Sequence, residues 1–538
     1  MEFKFGGSEY NQRTVLGHPS GLFILFFTEM WERFSYYGMR ALLVLFLTSS
    51  IMDNGWEWAR ADALELYGWY IGLVYITPII GGLIADKLLG YRRAVVLGAL
   101  IMTLGHASMA LEGFTNIFFY LGLVLLILGN GLFKPNISSM VGQLYKTEDK
   151  EKDAGYTIFY MGINAGAFLG ILLCGYIGEN VGWHWGFGLA GIFMFFGMLQ
   201  FYFAQKIFGN IGLKPKKDKD DYVDDHTVKG EVEDSEGKAI VDDSLDQSKK
   251  PEPSPVVKRD RIIVISVFAF FTIFFWWAFE QAGGSMTIFA ADYTDRELEG
   301  GQALTFKIIN TIITIVPLLV ITYVLLMLFR QIFGRYAKSN IFLGLSFAII
   351  WGIVIWMLYR EFSADSAEVP ASWFSVLNSL FIILLAPVFS KIWESKYNPS
   401  GPVKFGIGLI LLGIGFSALA YGAMSIPDGA ETAAVSMIFL IVAYFFHTVG
   451  ELCVSPVGLS YVSKLSPPKL VGLMFGIWFL ANFIAGILGG YTGGAIDSIS
   501  EKYGLSVFFL IFTIIPVVMG LIMIMINKIL IKKMHGIR

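Results

Sequence analysis

Fourteen apolar runs, each long enough to cross a lipid bilayer, limit what this chain can fold into. A spanning helix needs roughly 20 mostly apolar residues. Such runs lie near 21–48, 67–87, 94–112, 116–140, 156–178, 184–206, 262–290, 305–330, 339–359, 372–393, 405–424, 433–461, 471–495 and 505–530. Inside a bilayer every backbone N–H and C=O needs a partner from the protein, so runs of this length are helices. Composition agrees, with 55% of the 538 residues hydrophobic and only 15% charged, against about 25% charged in soluble domains. The fold class is therefore an all-α membrane protein. Net charge is −3, which offers nothing to nucleic acid. Cys174 and Cys453 both sit inside apolar runs, so neither a disulfide framework nor a zinc site is expected. The first run is too long for a signal-peptide core and no small-residue cleavage site follows it, so it is expected to be a retained span.

One segment breaks the series. From Gly209 to Asp260 there are fourteen Asp or Glu against ten Lys or Arg, a composition that cannot bury enough apolar surface to offset its ordering entropy. It reads as a solvated linker between two membrane halves. The expected organisation is a six-helix bundle over 1–208, a charged cytoplasmic linker over 209–260 and the first helix of a second bundle over 261–292. An extra hairpin follows over 293–370, and the remaining five helices occupy 371–538. Loops on the side of the two termini carry twenty Lys or Arg without the linker, whereas the opposite loops carry only Arg60, Arg296, Arg360 and Lys502. The positive-inside rule then places both termini and the linker in the cytoplasm.

Charges within the apolar runs are the functional signal, because an ionisable group at the bilayer centre costs roughly 2.5–3.5 kcal/mol on insertion scales. The first run holds Glu29, Glu32, Arg33 and Arg40, and positions 29, 32, 33, 36 and 40 follow the three- and four-residue spacing of one helix face. Lys134, Glu280 and Glu451 stand singly in other runs, each beside Gly, Pro or small polar residues that permit close helix approach or local unwinding. Lys134 and Glu451 each fall in the fourth helix of their half, as a twofold repeat would leave them. If all seven face one cavity, four acids meet three bases, and a carboxylate lacking a base in a low-dielectric site takes up a proton. The inventory points to a site that binds a proton and an ionic substrate alternately. His447, one turn before Glu451, is open to two readings: proton relay or packing residue. There is no metal-binding His pair, nucleophile elbow or phosphate-cradling loop, so no catalytic set, metal or cofactor is expected.

Several of these residues fall in motifs that resemble a known family. Glu29-Met-Trp-Glu32-Arg33-Phe-Ser-Tyr36-Tyr37-Gly38 resembles the ExxERFxYYG signature of proton-dependent oligopeptide transporters, a branch of the major facilitator superfamily. Gly131-Leu-Phe133-Lys134-Pro135-Asn136, Phe159-Tyr160-Met-Gly-Ile163-Asn164 and Glu451-Leu-Cys-Val-Ser455-Pro456-Val-Gly458-Leu459-Ser460 resemble the family's fourth-, fifth- and tenth-helix motifs. Gly82 to Arg93, with Asp86, Gly90 and Arg92, is similar to the superfamily's loop between the second and third helices.

The resemblance implies a major facilitator fold, two six-helix bundles plus an extra two-helix hairpin, and a proton-coupled importer of di- and tripeptides that works as a single chain. It further implies roles. Glu29, Glu32 and Arg33 with Lys134 would couple proton movement to substrate. Arg40 and Lys134 would draw the peptide carboxylate, and Glu280 would exchange Arg40 for a proton. Glu451 would hold the peptide amine, with Ser455 following it in the same motif. Asn164 and Asn378 would bond the peptide backbone, while Tyr36, Tyr37, Tyr75 and Trp478 would line side-chain pockets. Two departures stand out. Animal members carry a His where Tyr67 stands. Bacterial members usually insert their extra pair between the sixth and seventh helices, whereas here the Glu280 helix follows the linker and the pair comes next. The pair carries no charge in its apolar core and reads as a peripheral hairpin. The alternatives are a carrier of nitrate or another small anion and, in a different class, a membrane-embedded enzyme or a sensor.

Overall fold

The structure, a computed structural model, describes residues 3–145, 151–214, 253–455 and 457–537. Most of the charged linker (215–252), Pro456 of the tenth-helix motif, and the basic residues Lys146, Lys150 and Arg538 lie outside the described residues.

The first half is built from α1 (Ser20–Thr48), α2 (Arg60–Ile84), α3 (Tyr91–Met109), α4 (Asn116–Gly142), α5 (Glu151–Asn180) and α6 (Trp183–Ala204). The second begins with α7 (Pro255–Phe279), which passes through a tight turn at Glu280–Gly283 into α8 (Ser285–Asp292). The hairpin follows as α9 (Gly300–Ile332) and α10 (Ala337–Ser363). Then come α11 (Val376–Glu394), α12 (Gly401–Ala423), α13 (Ile438–Val454), α14 (Gly458–Leu465), α15 (Val471–Gly494), α16 (Ile496–Tyr503), α17 (Leu505–Met525) and α18 (Asn527–Lys533). With α7 and α8 as one crossing and the short α14, α16 and α18 as extensions, the apolar runs of the sequence each have a helix.

Eleven of these crossings are long and apolar enough to span a membrane on their own. The others have identifiable reasons for falling short. α1 carries the four ionisable residues, α3 opens on Arg92 and Arg93, and α13 has only 17 residues because the run at 433–461 is shared with α14. Such helices are held by their neighbours: Glu29, Glu32 and Arg33 are all buried inside the protein and away from lipid.

The halves repeat one another. In the first, α1 packs on α5 and α6, α3 on α4 and α6, and α2 on α4. In the second, α7 packs on α15 and α17, α12 on α13 and α17, and α11 on α13. Numbered within each half, these are the same helix pairs. The halves meet reciprocally, second helix of one against fifth helix of the other: α2 on α15, and α5 on α11. α2 and α15 approach closely at Gly68, where an added Cβ would lie 2.7 Å from the Gly490 Cα, so only glycine lets these two backbones touch.

The contacts between the halves concentrate on the face opposite the termini. Arg60, at the start of α2, bonds Asp292 at 2.7 Å and Asp497 at 2.8 Å. Glu179, at the end of α5, accepts from the Ala371 N–H at 2.8 Å, the Ser372 N–H at 3.0 Å and the Ser372 hydroxyl at 2.5 Å. Tyr491 donates to Glu65 at 2.7 Å. The protein is therefore closed on that face.

The hairpin belongs to the second half by sequence but to the first by packing. α10 lies along α6, and Phe347 meets Trp31 and Phe27 of α1 at ring distances of 5.5 and 5.7 Å. Its entry and exit strands, β1 (Glu297–Leu298) and β2 (Ala367–Glu368), pair antiparallel on the face away from the termini. Near that end the buried Lys307 donates to the Ala364 carbonyl at 2.6 Å, and Asn310 donates to the Glu361 carboxylate at 2.9 Å. The hairpin thus has a polar anchor that the sequence reading did not assign.

Candidate functional site

A cavity of about 850 Å³, its open mouth included, lies between the two halves. Its first-half wall includes Tyr37 and Arg40 of α1, Tyr75 of α2 and Asn164 of α5. Its second-half wall includes Glu280, Asn378 of α11, and Tyr444, His447 and Glu451 of α13.

Beside the cavity the helical spacing of α1 does what the sequence predicts. Arg33 Nε lies 2.6 Å from Glu29 and 3.0 Å from Glu32, and Asn130 of α4 donates to Glu32 at 3.0 Å. Lys134, one turn after Asn130, places its ammonium 5.6 Å from the Tyr75 ring, between this cluster and the cavity wall. Two acids and two bases are gathered here out of contact with lipid.

Arg40 forms the second group. Its NH2 is ion-paired with Glu280 across the two halves, and its Nε donates to the Tyr67 hydroxyl at 2.9 Å. Tyr75 donates to the other Glu280 oxygen at 3.2 Å, and the guanidinium lies 5.9 Å from the Tyr37 ring. Glu280 reaches this position because the helix breaks there. At Gly283 any side chain would strike the Tyr67 hydroxyl, so glycine allows the turn to close on α2.

Glu451 is different. It is 1% exposed, and among the described residues it has no basic partner. Asn378 donates to one carboxylate oxygen at 2.7 Å, while Oε1 has no hydrogen bond among the described residues. A buried carboxylate in this condition is costly unless a cation or a proton arrives. His447 packs against the Phe416 ring, 4.4 Å away, and forms part of the same wall.

Of the residues singled out in the sequence, Tyr37, Arg40, Tyr75, Asn164, Glu280, Asn378 and Glu451 line the cavity. Glu29, Glu32, Arg33, Tyr36 and Lys134 are buried next to it. Ser455 follows α13 and Trp478 packs against Gly458, and neither is in the cavity wall. Tyr67 and Tyr444 were missed. Tyr67 stands eight residues before Tyr75, and Tyr444 seven before Glu451, so each shares a helix face with a residue already chosen. That spacing was the available signal.

The comparisons with known proteins follow the same lines. The POT family model matches residues 92–223 and 346–511. A peptide transporter of Yersinia enterocolitica is 33% identical, over 87% of this chain and 86% of its own. A di-/tripeptide transporter of Lactococcus lactis is 31% identical, over 98% and 99%. The chain belongs to the POT family. The uncharacterized transporter YclF of Bacillus subtilis, 32% identical over 98% and 97% of the two chains, is another relative of nearly equal length. A crystal structure of a peptide transporter in complex with alafosfalin superposes with a TM-score of 0.72 at 28% identity, covering 98% of each chain. The fold is that of the major facilitator superfamily, and the family is one of transporters, not enzymes. The unmatched interval 224–345 contains α7, α8 and α9.

Proposed function

We propose that this protein is a proton-coupled symporter that carries di- and tripeptides into the cell by alternating access. The observation that carries the reading is the division of charge across the cavity. Arg40 faces it from the first half, and Glu451, with no basic partner among the described residues, faces it from the second. A peptide is a zwitterion, so its carboxylate suits Arg40 and its ammonium suits Glu451. Asn164 and Asn378 lie in the walls where a peptide backbone would pass, and the fixed contacts leave side chains free to vary. The relatives named as peptide and di-/tripeptide transporters support the same substrate class.

Binding that engages both halves draws them together, and rocking them about the occupied site exposes it to the other side. The proton enters through Glu280. Once protonated it releases Arg40 to the substrate carboxylate, and the cluster of Glu29, Glu32, Arg33 and Lys134 relays the change to α4 and α5. One inward proton contributes about 2.3 kcal/mol per 100 mV of membrane potential, enough for modest accumulation. The distribution of basic residues supports a protein of the cell membrane with both termini and the linker on its cytoplasmic side. A single chain contains the whole pathway. A small-anion carrier has no use for an amine-binding acid, so Glu451 weighs against that reading.

Uptake of labelled dialanine into proteoliposomes tests this. An inside-negative potential with an acidic exterior drives accumulation, and a protonophore abolishes it. Uptake indifferent to the protonophore, or absent in vesicles holding folded protein, contradicts the proposal.

A further inference from the structure

A second cavity, about 1,220 Å³ with its open side included, lies on the face of the termini between the end of α6 and the turn of the hairpin. Arg92, Lys206 and Arg335 line it beside Tyr202, Phe203 and Tyr336, and among the described residues no carboxylate lines it. Arg92, in the first turn of α3, takes no part in the transport cavity. It is 7% exposed; it donates to the Gly209 carbonyl at 2.5 Å, and its Nε has no hydrogen-bond partner among the described residues. Lys338, in the first turn of α10, lies 5.6 Å from the Phe203 ring and adds a fourth cation at the rim. A buried guanidinium and two neighbouring cations, with no acid beside them among the described residues, suit an anion.

The position indicates which anion. Tyr202, Phe333 and Ile341, all exposed on the elements that carry these cations, make an apolar surface that suits lipid better than water. We propose that the cavity holds the phosphate of an anionic phospholipid headgroup, with the acyl chains lying in the furrow between α6 and α10. Basic pockets between helices at a membrane surface recognise such headgroups, and the exposed apolar side chains beside the cations favour a lipid over a soluble phosphate ester of the same chemistry. The lipid ties the hairpin turn to the first half. It adds to the direct contacts there, where Arg13 donates to the Gln331 carbonyl at 2.6 Å and Ser339 to the Gln200 carbonyl at 2.8 Å.

The test is native mass spectrometry of the full-length protein in detergent, titrated separately with phosphatidylglycerol and phosphatidylcholine. Phosphatidylglycerol is expected to be retained preferentially. The double variant Lys206→Gln/Arg335→Gln, altered only at exposed side chains, should bind it about 25-fold more weakly, roughly fivefold per cation. A control pair on the same face, Lys528→Gln/Lys532→Gln, should bind it as the parent does. Equal retention of the two lipids, or an unchanged double variant, overturns the site. Displacement by millimolar glycerol 3-phosphate overturns the lipid source and leaves a soluble phosphate ester as the ligand.

Discussion

Arg40 and Glu280 are paired across the two halves, with the hydroxyls of Tyr67 and Tyr75 closing the group. Removing one member of a buried ion pair costs about 3–5 kcal/mol unless another charge replaces it. In the proposed cycle that replacement is the substrate carboxylate. Glu280→Gln, which mimics the protonated acid, should therefore leave peptide exchange across equilibrated membranes intact while uptake stops responding to a proton gradient. Gradient-driven uptake in this variant would remove Glu280 from the coupling step. The seven buried ionisable residues were legible in the sequence because a bilayer makes charges rare and so conspicuous. Tyr67 and Tyr444 were not, since tyrosine is common in apolar helices and its hydroxyl acquires meaning only from what it touches. Trp478 and Ser455, chosen on local resemblance alone, are not among the residues that line this cavity.

Helix existence followed from the apolar runs, whereas the breaks within them did not. The run at 262–290 is α7, a turn and α8, and the run at 433–461 continues past α13 into α14. Hydropathy averages over a window and so passes across a single turn, although that turn is what presents Glu280. The end of α5 shows a second property invisible to pattern reading. Glu179 accepts three hydrogen bonds from Ala371 and Ser372 and so holds α5 against the entry to α11 on the closed face. Hydrogen bonds to a charged group contribute about 1.5–3 kcal/mol each. Glu179→Ala removes all three, and a net loss equal to even one of them should shift the population at least about tenfold toward opening on that face. Spin labels at Met52→Cys and Met424→Cys, on exposed loops of the two halves, should report a longer distance in the Glu179→Ala background. An unchanged distance distribution would show that Arg60 and the α2–α15 contact suffice to keep the face closed.

At the scale of the molecule, the repeat of helix contacts and the reciprocal α2–α15 and α5–α11 packing give two bodies meeting around one cavity. The matching positions of Lys134 and Glu451 already hinted at this symmetry in the sequence. The attachment of the hairpin to the first half did not show there, because aromatic packing such as Phe347 on Trp31 leaves no periodic trace. The central claim is that one peptide engages Arg40 on one body and Glu451 on the other. Its most direct measurement is the affinity of dialanine and N-acetyl-dialanine for the parent protein and for Glu451→Gln. Truncating one partner of a desolvated charge pair costs about 2–5 kcal/mol, so acetylation should weaken binding to the parent at least about 30-fold. In Glu451→Gln the two ligands should bind alike, with the free-amine peptide reduced to the level of its acetylated form. If acetylation is harmless to the parent, or if the variant weakens both ligands equally, Glu451 does not hold the amine and the bridging account fails.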